Sequence, residues 1–173
     1  AWIVRGEVFA IPAEGGDEPA QAFRVTRTAA RESGIAWLPD SRRIVYATER
    51  DGDPDIAIYE FASGAERILT KGPESDLFPT PSPDGKECAY IRGGVEARII
   101  SIDSGEDRAA IEGLFPDDEL QGVPSLAWSP DGRYLCALAM DDRFFKNLVG
   151  RDVRGDRAEA ITFLPHIEGM APQ

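Results

Sequence analysis

The strongest constraint on this chain is an internal repeat. Trp37-Leu38-Pro39-Asp40-Ser41, Pro81-Ser82-Pro83-Asp84-Gly85 and Trp128-Ser129-Pro130-Asp131-Gly132 share one pattern, within matched stretches 35–46, 79–90 and 126–137. Their Pro-Asp pairs begin at Pro39, Pro83 and Pro130, giving spacings of 83 − 39 = 44 and 130 − 83 = 47 residues. A period of this length marks a repeat architecture, in which each unit is one supersecondary module that buries its apolar face only by stacking on its neighbours.

The chemistry inside each unit selects the module. Pro presets φ at the second position of a turn, Asp suits the third, and Gly takes positive φ where the next strand begins. Each Pro-Asp pair therefore reads as a tight hairpin between a short inner strand and a longer second one. Ser41 replaces the Gly in the first copy, so that turn is expected to be strained or of another type. In the first complete unit, 44–48, 56–61 and 67–70 supply the second to fourth strands, separated by the turn signals Asp51-Gly52 and Ser63-Gly64. Arg92-Gly93-Gly94 and Ser104-Gly105 hold the same two places in the next unit, and 24–26 and 161–163 are counterparts of the fourth strand. Four short strands per unit, Gly-rich turns and no helical period predict an all-β fold. The expected architecture is a β-propeller segment of about four four-stranded antiparallel blades.

Register divides the chain into an incomplete blade over 1–34 and complete ones over 35–78, 79–124 and 125–168. Residues 1–34 hold second to fourth strands over 1–4, 7–13 and 22–26 but no Pro-Asp turn, and 169–173 read as the start of a next blade or a closing strand. The three extra residues of the longer repeat fall in the acidic loop 116–119. The start at Ala1, with no secretion signal, reads as an excised piece of a longer protein. A larger parent ring is expected, with a closed four-bladed ring as the alternative. Half-blades leave unpaired strand edges, which invite pairing with another copy of the chain.

Charge and cysteine content narrow the partners. The chain carries 19 basic and 31 acidic residues, a net charge of −12, which disfavours nucleic acid and anionic membrane surfaces. Cys88 and Cys136 do not make a disulfide framework. In the aligned repeats Cys88 stands level with Ile44 and Leu135, and Cys136 with Val45 and Ala89. Neighbouring strand positions face opposite sides of a sheet, so the thiols are expected to point apart as buried, reduced core residues. That fits a cytoplasmic setting.

On these residues the chain resembles the TolB-like propeller repeats, of which Trp128-Ser129-Pro130-Asp131-Gly132 carries the signature, with weaker copies at Trp37 to Ser41 and Pro81 to Gly85. More specifically, the run from Val4-Arg5-Gly6-Glu7-Val8-Phe9 to Gly16, followed by Val25-Thr26-Arg27-Thr28 and Ala30-Arg31-Glu32, is similar to the start of a propeller in tricorn-type serine proteases. The resemblance spans essentially the whole chain and is strongest over its first 70 residues. It implies a propeller placed ahead of a PDZ module and a C-terminal protease domain, filtering or guiding peptides. The nucleophile would lie in that other domain, so no catalytic residue is carried onto this sequence.

The residues themselves offer little chemistry. His166 is the single histidine, with no Gly-x-Ser-x-Gly elbow to serve, and is expected in a loop or at a strand edge. Two cysteines and one histidine do not make a zinc site. Asp51-Gly52-Asp53-Pro54-Asp55 has the alternating carboxylates of a calcium loop, but Ile56 and Ala62 stand where an EF-hand needs Gly and Glu. It is read as a solvated turn, as are Asp117-Asp118-Glu119 and Asp141-Asp142. Gly15-Gly16 and Gly93-Gly94 are not followed by helix signals and do not read as phosphate loops. Trp37, Tyr46, Tyr59, Tyr90, Trp128 and Tyr134 recur at blade-equivalent places and are expected as inter-sheet core. No catalytic residue, cofactor or metal is expected. The expected function is a non-catalytic propeller segment, from a tricorn-like serine protease, that handles or gates peptides or scaffolds the assembly. The alternatives are a TolB-like protein-binding propeller without a protease domain, and a propeller hydrolase acting on sugars or lactones.

Overall fold

The computed structural model describes residues 1–12, 21–114, 126–140 and 146–155. They form fourteen strands in four antiparallel sheets. The first sheet is β1 (Trp2–Val4), β2 (Glu7–Ala10) and β3 (Phe23–Arg24). The second is β4 (Glu32–Trp37), β5 (Arg43–Thr48), β6 (Asp55–Glu60) and β7 (Ala65–Ile68). The third is β8 (Asp76–Pro81), β9 (Glu87–Arg92), β10 (Glu96–Ser101) and β11 (Asp107–Glu112), and the last is β12 (Leu126–Trp128), β13 (Tyr134–Met140) and β14 (Lys146–Asp152). Within each sheet the order follows the chain, so hydrogen-bonded neighbours are consecutive strands. The expected positions 116–119, 161–163, His166, 169–173, Gly15-Gly16 and Asp141-Asp142 lie outside the described residues.

The Pro-Asp turns form as their chemistry dictates. The amides of Ser41, Gly85 and Gly132 donate to the carbonyls of Leu38, Ser82 and Ser129, and the Asp carboxylates accept from amides two residues on, Asp40 from Arg42 at 2.8 Å and Asp84 from Lys86 at 3.1 Å. Gly85 and Gly132 have φ of 69° and 67°, and Ser41 adopts 56°. The first turn is therefore the same type, with the strain borne by a serine. A second repeated feature bends the inner strands. The register of β4 slips between Ser33 and Ala36, and that of β8 between Leu77 and Thr80. Gly34 and Phe78, 44 residues apart by 78 − 34, take positive φ at these bulges.

Strict alternation along the strands builds the core between consecutive sheets. On β5, Ile44 and Tyr46 face the first sheet, packing with Val8 and Ala57, while Val45 and Ala47 face the third, packing with Cys88 and Tyr90. On β9, Cys88 and Tyr90 face back, and Ala89 and Ile91 face Leu135 and Ala137 of the last sheet. The equivalent residues Ile44, Cys88 and Leu135 thus all look to the preceding sheet. Cys136, in the opposite phase from Leu135, looks away from it. Both thiols are free; Cys88 is buried and Cys136 only half-buried, because β13 presents Cys136 to the side no other described sheet covers. The inner strands β4, β8 and β12 lie side by side. This is the radial stacking of propeller blades.

Candidate functional site: an aromatic groove across the first blade joint

A groove of about 570 Å³ crosses the first two sheets at the ends of their strands, lined by Ala10, Ile11, Pro12, Phe23, Trp37, Ser41 and Phe61. Trp37 ends β4, Phe61 directly follows β6 and Phe23 opens β3, so three strand ends bring the rings together. Trp37 stacks on Phe61 with centroids 5.2 Å apart and planes 19° inclined, and Phe23 and Tyr59 meet Phe61 edge-on at 6.0 and 5.2 Å. Trp37 and Phe23 remain 44% and 43% exposed. Such a surface offers stacking and apolar burial to a ligand.

Trp37 departs from the core placement expected for it. Its repeat-equivalent, Trp128, is packed against the core between the third and last sheets and donates its indole N–H to the Thr80 carbonyl of β8 at 2.9 Å. Among the described residues the first sheet has no inner strand beside β1, so no matching carbonyl faces Trp37, and the ring turns to Phe61. Tyr46 and Tyr90 are fully buried, as expected. Tyr59 and Tyr134 are half-buried.

The polar clusters are engaged in structure. Arg92 holds buried Asp76 through two nitrogens, at 2.8 and 2.9 Å, and reaches Asp107 at 3.3 Å. Asp51, Asp53 and Asp55 do not converge: Asp51 and Asp53 are exposed, whereas Asp55 is buried and accepts from Thr70 at 3.4 Å. Burial, then the neighbouring Asp76 charge, raise the Asp55 carboxyl above the usual aspartate range. A second hollow of about 190 Å³ is bounded by Arg43, Ile58, Glu60, Ala65, Glu66 and Arg67. Its charges are spoken for: Arg43 by Asp40, Glu66 by Arg50, and Arg67 by the Ile102 carbonyl. Among the described residues no three His, Cys, Asp or Glu side chains gather to hold a metal.

Comparison with known proteins places these blades. No family model matches the chain. A TolB homolog of Protochlamydia amoebophila is 37% identical over 67 residues, 38% of this chain and 14% of that protein. Dipeptidyl-peptidase 5 of Porphyromonas gingivalis is 29% identical over 127 residues, 62% of this chain and 18% of that protein. The chain spans less than half the length of these curated relatives. Among solved structures, TolB from Acinetobacter baumannii superposes with a TM-score of 0.63 at 19% identity, over 83% of this chain and 35% of that one. Tricorn protease gives 0.67 at 11% identity, over 90% and 15%. An oligogalacturonate lyase from Vibrio parahaemolyticus gives 0.66 at 12% identity, over 90% and 47%. Repeat, turn chemistry, sheet order and relatives agree that the chain is a segment of TolB-like β-propeller.

Proposed function

We propose that this segment performs no chemistry itself and handles or gates peptides, or scaffolds the assembly that does, within a protein of the tricorn-like serine protease kind. The observation that carries the reading is the aromatic groove: a concave apolar surface with an exposed indole, while the buried Asp55 and Asp76 are engaged by Thr70 and Arg92 of their own sheets. A stacked Trp-Phe pair accepts apolar and proline side chains at little conformational cost. The peptidase among the relatives and the likeness to tricorn protease blades support a peptide as ligand. The net charge of −12 argues against nucleic acid and membrane surfaces as partners.

A TolB-like protein-binding propeller without a protease is the second reading, favoured by the TolB homolog that matches at 37% identity. The two differ in what the parent gene encodes downstream, where the first requires a PDZ-like stretch and a protease domain. A sugar-handling propeller is the third, since stacked aromatics also bind sugar rings and an oligogalacturonate lyase shares the fold.

The test is titration of the chain with a panel of extended apolar and proline-containing peptides, followed by tryptophan fluorescence, with oligogalacturonate as the comparison ligand. Saturable peptide binding that weakens at least tenfold in Trp37→Ala supports the reading. Binding of the sugar alone, or peptide binding indifferent to Trp37, contradicts it.

A further inference from the structure

The joint between the first two sheets holds two carboxylates that share one hydroxyl. Glu32, at the start of β4, is 1% exposed. Thr26 Oγ1 lies 3.2 Å from Glu32 Oε2 and 3.1 Å from Glu7 Oε2 on β2, and it already accepts the Val8 amide at 2.9 Å. A threonine hydroxyl has one proton to give. It satisfies one carboxylate and leaves the other facing a lone pair. The opposite side of Glu32 is provided for: Oε1 accepts from Thr28 at 2.9 Å and from Thr48 at 3.4 Å. Glu7 is clamped by Arg24, whose Nε reaches Oε2 at 2.8 Å and whose terminal nitrogen pairs with Oε1.

Both Thr26–carboxylate contacts hold a proton only when one of the two carboxyls is protonated, and Arg24 beside Glu7 selects Glu32 as that one. Glu7 is the charged member, held by Arg24 and receiving the Thr26 proton. Glu32 Oε2 carries its own proton and gives it in a hydrogen bond to Thr26, while Oε1 acts as the carbonyl that the two other threonines address. We propose that Glu32 is a protonated carboxylic acid in the folded molecule, bolting the first blade to the second through a Glu32–Thr26–Glu7–Arg24 chain that lets go as pH rises.

The next joint shows what is different here. Thr70 repeats Thr26, accepting the Ile56 amide at 2.9 Å and bonding Asp55. Asp76 stands at the head of β8 as Glu32 heads β4, but its cross-strand partner is Arg92, whereas the partner of Glu32 is Thr48. Where the third sheet supplies a guanidinium, the second supplies only a hydroxyl. The other ionisable neighbours do not replace it. Arg24 is committed to Glu7, and Arg50 on the β5 side is committed to Glu66, which also binds the Tyr46 hydroxyl. Asp76 on the adjoining β8 is paired with Arg92, and β1 carries no ionisable side chain. Burial, with the Glu7 charge adding to it, holds the Glu32 carboxyl above the usual glutamate range despite its threonine donors, while the bond from Arg24 holds Glu7 below it.

A raised folded-state value makes stability fully present below the unfolded value of about 4.3 and lost as pH rises through the folded value. The joint so controlled is the one the aromatic groove spans at its other end, and the inference stands whether or not that groove takes a peptide. The experiment is a pH series of urea unfolding on the 173-residue chain and on Glu32→Gln and Thr48→Arg, with a carbon-detected NMR titration of the glutamate carboxyls. The Gln amide donates to Thr26 at every pH, and an Arg at position 48 supplies the missing cation. Wild type should lose up to about tenfold in its folding constant per pH unit across the window, relative to Glu32→Gln. Thr48→Arg should flatten that loss and bring the Glu32 carboxyl back toward the ordinary range. Equal pH slopes in wild type and Glu32→Gln would overturn the proposal. Should the Gln variant fail to fold, a wild-type Glu32 carboxyl titrating in the ordinary range overturns it alone.

Discussion

Gly85 turns its α-carbon against the ring of Pro39 one blade earlier, so that a methyl group placed there would stand 3.3 Å from Pro39 Cδ. Gly132 meets Pro83 in the same way at 3.6 Å. The Pro-Asp hairpins are thus not independent turns; each is seated on the one before it.

Gly85→Ala is therefore expected to destabilise the chain by about 1–2 kcal/mol, through a positive φ of 69° together with a crowded Cβ. Ser41→Gly should act in the opposite direction and stabilise by up to about 1 kcal/mol, because Ser41 bears a φ of 56° that glycine adopts freely. Urea unfolding of the two variants checks both signs. A neutral Gly85→Ala would show that the hairpins do not seat on one another.

Among the described residues Arg92 is the one cation that holds buried Asp76 in a bidentate fashion. Arg92→Ala leaves the buried Asp76 carboxylate without its cation, beside an Asp55 that keeps its bond from Thr70. A loss of about 3–5 kcal/mol is expected. The double variant Arg92→Ala with Asp76→Ala should recover part of it. Equal losses in the single and double variants would mean that the arginine contributes packing alone.

The two thiols should differ sharply towards a thiol-specific reagent. Burial pushes the Cys88 thiol up to about 12, so at neutral pH its thiolate is rare as well as inaccessible. Cys136 is half-buried on the outward side of β13. Native protein should incorporate one label, at Cys136, and unfolded protein two, as counted by mass spectrometry. Prompt native labelling of Cys88 would contradict the packing of β9 against β5.

Much of this was readable in advance because the information is local and periodic. Pro-Asp-Gly fixes a turn within four residues, and a period of two along 44–48 or 87–92 then fixes which side chains face which neighbour. That is why the opposed phases of Cys88 and Cys136 follow from alignment alone. Ser41 shows the same logic at a defect: the missing glycine signalled a strained turn, and the backbone carries it. Trp37 was not legible. It occupies the place of Trp128 in the repeat, but its surroundings depend on the strand content of the preceding sheet, a long-range property that no window around residue 37 contains. The Glu32 cluster escaped for a related reason. Glu7, Thr26, Glu32 and Thr48 are scattered along the chain and meet only when two sheets stack. The one signal available was positional: Thr26 and Glu32 stand 44 residues before Thr70 and Asp76, while Thr48 stands where the next unit has Arg92.

We propose above that this segment receives polypeptide and leaves it whole. The direct measurement is incubation of the chain with a defined peptide mixture, followed by mass spectrometry of the bound and free fractions. Peptides should be retained intact, with retention lost in Trp37→Ala and no new termini at any time point. Cleavage that disappears on a single substitution within these 173 residues would contradict the proposal.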